Sequence, residues 1–274
     1  MTSPHDISFQ LQRFNLRLAA KQWHPKQTQR TLCLHGWLDN ANSFDLLAPH
    51  LNHQEVLALD FPGHGYSDHL PKAASYSLLG IVEQIIAFID EQNWSNLTII
   101  GHSLGACLAS LVAACLPKRL KHLILIEGIG PLPLTKTAPE QFCHYLNITK
   151  RYTKKVLPSY ASIEDAARVR SQRSNVTYQM AYKLATRGTK KLPNGYYTWR
   201  TDPRLLTPSA YALTEGQIAD FLTKISCPTL FIQGKSGFFV DSKILLPRLS
   251  CVQELSQHSL DGGHHLHLEQ PLAT

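Results

Sequence analysis

The chain has 274 residues, 43% hydrophobic and 17% charged, the balance of one large folded domain or two small ones and not of a disordered chain. Its formal net charge of +7 is moderate, and the basic residues are diffuse and carry no nucleic-acid-binding motif, so a nucleic-acid partner is not expected. No apolar run approaches the ~20 residues of a membrane span, the N-terminus lacks secretory-signal features, and Cys33, Cys107, Cys115, Cys143, Cys227 and Cys251 are scattered without C-x-x-C pairs, so reduced thiols and a cytoplasmic location are expected.

Residues 7–11 and 14–18 alternate apolar with polar and read as antiparallel edge strands, followed by a polar connection over 21–30. Residues 31–34 form a short buried strand that ends in His35-Gly36-Trp37-Leu38-Asp39. The glycine lets the backbone turn so that the Trp37 N–H can point into a site above the sheet. Residues 56–59 form the next strand, closed by Asp60-Phe61-Pro62-Gly63-His64-Gly65-Tyr66-Ser67, which lacks phosphate-loop spacing and reads as a structural turn. Leu78, Leu79, Val82, Ile85, Ile86 and Ile89 recur at helical spacing within 75–92.

The most informative stretch is 97–117. A β-branched apolar run leads into Gly101-His102-Ser103-Leu104-Gly105, and a small-residue helix follows until Pro117. This G-x-S-x-G in strand–turn–helix context is a nucleophile elbow. The turn lifts Ser103 above the sheet, while the helix start, beginning with the Leu104 N–H, aims its positive end at the place where an oxyanion would form. Residues 123–126 form another strand, ending at Glu127-Gly128. Strands and helices in this rhythm make a mostly parallel sheet covered on both faces, and His35, Asp60, Ser103 and Glu127 all fall near carboxyl ends of strands, where sites gather.

From Pro131 to Gln217 the texture changes. This segment holds fourteen Lys/Arg against five Asp/Glu, a balance of +9 that leaves −2 for the rest of the chain. It reads as a helical cap inserted after the sixth strand, over a core of residues 1–130 and 218–274. Such a cap is either merely solvated or draws in an anionic substrate. The sheet resumes at 229–232, with a helix over 241–249 and a strand near 252–255. In Asp261-Gly262-Gly263-His264-His265-Leu266-His267, a histidine on a glycine turn can reach Ser103 as general base. A metal held by His264, His265 and His267 is disfavoured, since no carboxylate or cysteine stands at helical ligand spacing and the ion would compete for the base.

Together these residues resemble the α/β-hydrolase fold superfamily, closest to its serine hydrolase-like group. The carrying segments are His35-Gly36-Trp37, the run from Asp60, Gly101 to Gly105, and Gly263-His264 with Glu269 and Pro271. Trp199-Arg200-Thr201-Asp202-Pro203-Arg204-Leu205 and Leu213-Thr214-Glu215-Gly216-Gln217 add to the match. The resemblance implies Ser103 as nucleophile, His264 as base, and the Trp37 and Leu104 amides as oxyanion donors, with no cofactor and no metal. It implies hydrolysis of an ester or thioester of a small molecule through an acyl-enzyme, or else carbon–carbon bond hydrolysis with the same serine.

Two departures stand out. The position that carries the acid in most relatives is Gly237, so the acid is expected at Glu127, which ends a strand, with Asp241 as the alternative. The chain also stops where relatives usually begin a final helix, which would leave apolar sheet surface open to a homodimer. If the acid is truly missing, the alternative is an inactive hydrolase-fold protein that binds an anionic ligand.

Overall fold

The computed structural model describes residues 4–152, 155–174, 176–240 and 242–274. Its centre is an eight-stranded sheet of order β1-β2-β4-β3-β5-β6-β10-β11. The strands are β1 (His5–Leu11), β2 (Leu16–Trp23), β3 (Arg30–Leu34), β4 (Glu55–Leu59), β5 (Leu97–His102), β6 (Leu120–Ile126), and, beyond a long insertion, β10 (Thr229–Gly234) and β11 (Leu255–Leu260). Only β1 and β2 run antiparallel to their neighbours. Of the β-branched and leucine-rich central strands, β5 is buried throughout and β3 and β4 at every residue after the first, as strands covered on both faces must be.

Three boundaries differ from the sequence expectation. β2 continues through residues 21–23, because Lys21, Gln22 and Trp23 pair with β4 and Lys21 Nζ is satisfied by Asn42 Oδ1 at 2.9 Å. The last strand lies at 255–260 and not near 252–255. As a sheet edge it needs no apolar face, and Val252 is instead buried in the core. The helix expected from 241 is described only as α7 (Leu245–Leu249).

Helices α1 (Leu78–Glu91) and α2 (Leu104–Cys115) cover one face through Ile85, Phe88, Leu108 and Val112. Each fully buried aliphatic or aromatic side chain here contributes about 1.5–3 kcal/mol. The opposite face packs Ile100, Ile126 and Ile232 against Phe44 and Leu266. Beside that cluster runs an apolar groove of about 240 Å³ lined by Leu47, Ile100, Ile124, Ile126 and Leu272.

Between β6 and α6 (Glu215–Leu222) the chain leaves the sheet. This stretch contains α3 (Ala138–Tyr152), α4 (Ile163–Arg173) and α5 (Tyr178–Gly188), but it is not purely helical as expected. β7 (Ser159–Tyr160), β8 (Thr189–Lys191) and β9 (Tyr197–Trp199) form a small antiparallel sheet. The cause is the Leu192-Pro193-Asn194-Gly195-Tyr196 turn, where Gly195 takes φ +86° and threonine and aromatic residues flank it.

Arginines from α4 and α5 reach into the main body. Arg170 engages the Asp39 carboxylate and donates to the Leu38 carbonyl at 3.1 Å, and Arg187 Nε donates to Asp60 Oδ2 at 2.8 Å. Arg168 and Arg204 pair with Asp165 and Asp202. Asp39 and Asp60, which lie outside the 131–217 segment, therefore neutralise part of its +9 balance.

Candidate active site

The elbow's geometry follows from its glycines. A Cβ on Gly105 would collide with the Leu34 carbonyl of β3, and one on Gly101 would stand 2.5 Å from Ala106 Cα. Without side chains at both positions, β5 and α2 close together and force Ser103 into φ +51°, ψ −115°, an uncommon conformation for a residue with a side chain. Its N–H is held by the Ile126 carbonyl at 2.9 Å.

His264 stands on the turn after β11. Gly262 enters this turn at φ +142°, and Glu269 Oε2 fixes it by accepting the Gly263 N–H at 2.7 Å. Its Nε2 lies 2.9 Å from Ser103 Oγ, and its Nδ1 lies 3.1 Å from Glu127 Oε2. These three sequence-predicted side chains are thus in one hydrogen-bonded line, although 161 and 137 residues separate the pairs.

Glu127 ends β6 at φ +53° with its side chain fully buried. Oε1 accepts the Gly234 N–H and Oε2 the Phe238 N–H, each at 2.7 Å. Two amide donors and an imidazole satisfy a carboxylate that burial would otherwise penalise. The alternative acid, Asp241, lies outside the described residues.

The 35–39 loop carries the Trp37 amide and rests on two buried neutral histidines. Burial pushes His35 down to about 3 and His64 down to about 4. With Nδ1–H donating to the Gly36 carbonyl at 2.7 Å, His35 Nε2 is free to accept the Phe61 N–H at 3.1 Å. His64 likewise donates from Nδ1 to the Pro62 carbonyl and accepts the Leu38 N–H at Nε2. Among the described residues neither the Trp37 nor the Leu104 backbone N–H has a hydrogen-bond acceptor. Trp37 is 54% exposed and its indole donates to the Leu205 carbonyl; Phe238, 58% exposed, flanks His264 with ring centres 6.0 Å apart.

The run from Asp60 makes a turn. Asp60 Oδ1 accepts the Ala41 N–H, and Oδ2 accepts the Tyr66 N–H and Arg187 Nε. Sequence reasoning named His265 and His267 only in a disfavoured metal reading with His264 and did not reach Asp39, Arg170 or His102 as partners behind the site, where His267 Nε2 lies 2.8 Å from Ser43 Oγ. No spacing connects Asp39 to residues beyond 260. A polar residue one place before the nucleophile, His102 on a strand otherwise apolar, was the available signal.

Residues 32–271 match the alpha/beta hydrolase fold family. A serine hydrolase-like protein of Dictyostelium discoideum is 31% identical over 93% of this chain and 76% of its own length. A hypothetical protein of Pseudomonas aeruginosa PAO1 has a crystal structure that superimposes with a TM-score of 0.89 at 34% identity, covering 98% of this chain and 94% of that one. The thioesterase domain from the curacin biosynthetic pathway superimposes with a TM-score of 0.86 at 27% identity, covering 99% and 97%.

Proposed function

The chain belongs to the alpha/beta hydrolase fold family, close to its serine hydrolase-like members, and on that premise we propose that it hydrolyses an ester or thioester of a small molecule through an acyl-enzyme on Ser103. The observation that carries the reading is the hydrogen-bonded line from Ser103 Oγ through His264 to Glu127, at 2.9 and 3.1 Å.

In this mechanism Oγ attacks the substrate carbonyl carbon while His264 Nε2 takes its proton. Glu127 holds the Nδ1–H tautomer and stabilises the imidazolium. The carbonyl oxygen becomes an oxyanion that the Trp37 and Leu104 amides receive, each such donor typically contributing about 3–4 kcal/mol to the barrier reduction. The tetrahedral intermediate collapses by breaking the bond to the leaving alkoxide or thiolate, which takes the proton from His264. Water then adds to the acyl-enzyme with the same proton shuttle and restores Ser103.

The segment 131–217 acts as a cap over the site, supported by the Trp37–Leu205 contact at its rim. The test is labelling with a fluorophosphonate probe. One covalent adduct per chain, absent from Ser103→Ala, is expected. Correctly folded protein that takes no label would leave a hydrolase-fold binding protein as the better description. Turnover of a panel of neutral and anionic esters and thioesters then assigns the substrate class.

A further inference from the structure

Behind the Ser103–His264 pair, three other side chains converge. One ligand atom from each of His102, Asp39 and His265 lies within 4.8 Å of the other two. Asp39 Oδ2 is 3.9 Å from His102 Nδ1 and 3.6 Å from His265 Nε2. The side chains of His102 and Asp39 are 1% and 2% exposed, and His265 closes the cluster at 12%.

The protonation of this cluster can be worked out from its partners. His102 Nε2 faces the His264 carbonyl oxygen at 2.8 Å, and because that oxygen can only accept, Nε2 carries the proton. In the neutral imidazole the other ring nitrogen, Nδ1, then presents a lone pair. Nδ1 has no hydrogen-bond partner among the described residues.

The Asp39 carboxylate is paired with the Arg170 guanidinium. Arg170 engages Oδ1, which leaves Oδ2 turned toward the two histidines. A buried lone pair and a buried carboxylate oxygen thus face one another, an arrangement that is unfavourable unless a positive centre lies between them.

We propose that Asp39 Oδ2, His102 Nδ1 and His265 Nε2 form a binding site for a divalent transition cation such as Zn²⁺, distinct from the Ser103 site. Two imidazoles and a carboxylate are a zinc-type donor set. Bonds of about 2.0–2.1 Å in tetrahedral geometry place ligand atoms roughly 3.4 Å apart, so the 3.6 and 3.9 Å pairs need movements of a few tenths of an ångström, and the two imidazoles, whose ligand atoms lie within 4.8 Å of one another, must close to the same separation. The ion does not compete for the base, since both His264 nitrogens are engaged by Ser103 and Glu127. It braces the 264 turn instead, through the His102 Nε2–H bond to the His264 carbonyl.

The test uses the full chain, stripped with a chelator, titrated with Zn²⁺ alone by calorimetry and with Co²⁺ by visible absorption. One equivalent with a tetrahedral Co²⁺ band is expected for the wild type and for Ser103→Ala and His264→Gln. His265→Ala and His265→Gln, checked for folding by circular dichroism, are expected to weaken affinity by more than about 100-fold. His258→Ala, on the exposed edge strand, is expected to bind as the wild type does. No saturable binding by folded wild type, binding undiminished in both His265 variants, or loss in His264→Gln overturns the proposal. Fluorophosphonate labelling of the same samples is read separately, so failure of the cation site and failure of the hydrolase reading are told apart.

Discussion

A side chain at Gly237 and the carboxylate of Glu127 exclude one another: a Cβ built on Gly237 would collide with Oε1 and stand 2.5 Å from the carboxyl carbon. Gly237 is the position at which the family resemblance leads one to expect the acid, and the carboxylate that fills the space comes from the end of the neighbouring strand. Its donors, the Gly234 and Phe238 amides, belong to the loop that lacks the acid. Glu127→Gln is expected to lower ester turnover about 10³–10⁴-fold, as loss of a triad acid does elsewhere, with substrate affinity little changed. Moving the acid back, in Glu127→Gly combined with Gly237→Asp, is expected to exceed Glu127→Gly alone. Equal kcat in wild type and Glu127→Gln would remove Glu127 from the mechanism.

Arg187 is 2% exposed and bonds Asp60, whose side chain is wholly buried at the end of β4. Arg187→Met leaves that carboxylate without its cation and is expected to destabilise the protein by about 3–5 kcal/mol. Adding Asp60→Asn is expected to restore part of the loss. Urea unfolding of the four proteins in this cycle measures the coupling.

His69 and Asp202 form a pair with opposite pH signatures. The hydrogen bond that His69 donates to Asp202 raises His69 above the usual histidine range, so its contribution is full below about pH 6.5 and is lost as pH rises through the folded value. Burial opposes ionisation of Asp202, but His69 and Arg204 depress it, so its contribution is present above about pH 3.9 and is lost as pH falls through the folded value. The pair therefore stabilises most between about pH 4 and 6.5. His69 is partly exposed, so its part is below about 1 kcal/mol. Urea midpoints measured across this range are expected to lose their alkaline slope in His69→Gln.

Thiol reactivity separates buried from exposed cysteines. Burial pushes Cys33 far up, and its side chain is inaccessible within β3. Brief alkylation of native protein at pH 8, read by mass spectrometry, is expected to modify Cys143 and Cys115, which are exposed, and to spare Cys33 until denaturant is added.

The glycines at 101 and 105 announced the elbow in the sequence because the close crossing of strand and helix admits nothing larger. The central parallel strands were equally legible, since burial on both faces demands continuous apolar runs. Edges were less so. β11 carries Ser256, Gln257, His258 and Ser259, because backbone pairing on one side suffices at a sheet margin, and no apolar period marks it. The small sheet of β7, β8 and β9 escaped notice because strands of two or three residues carry no periodicity.

For the site, the turn chemistry singled out Ser103 and made His264 a candidate base, the family resemblance gave His264 its role, and the strand end favoured Glu127 with Asp241 left as the alternative acid. Which side chains meet was decided by the folded chain. Glu127 over Gly237, and Asp39 beside His102 and His265, depend on strands that lie side by side in space while more than a hundred residues separate some of the partners. Spacing along a chain records helices and turns; it holds no record of which strand end faces which loop, because that is fixed only when the sheet's order is.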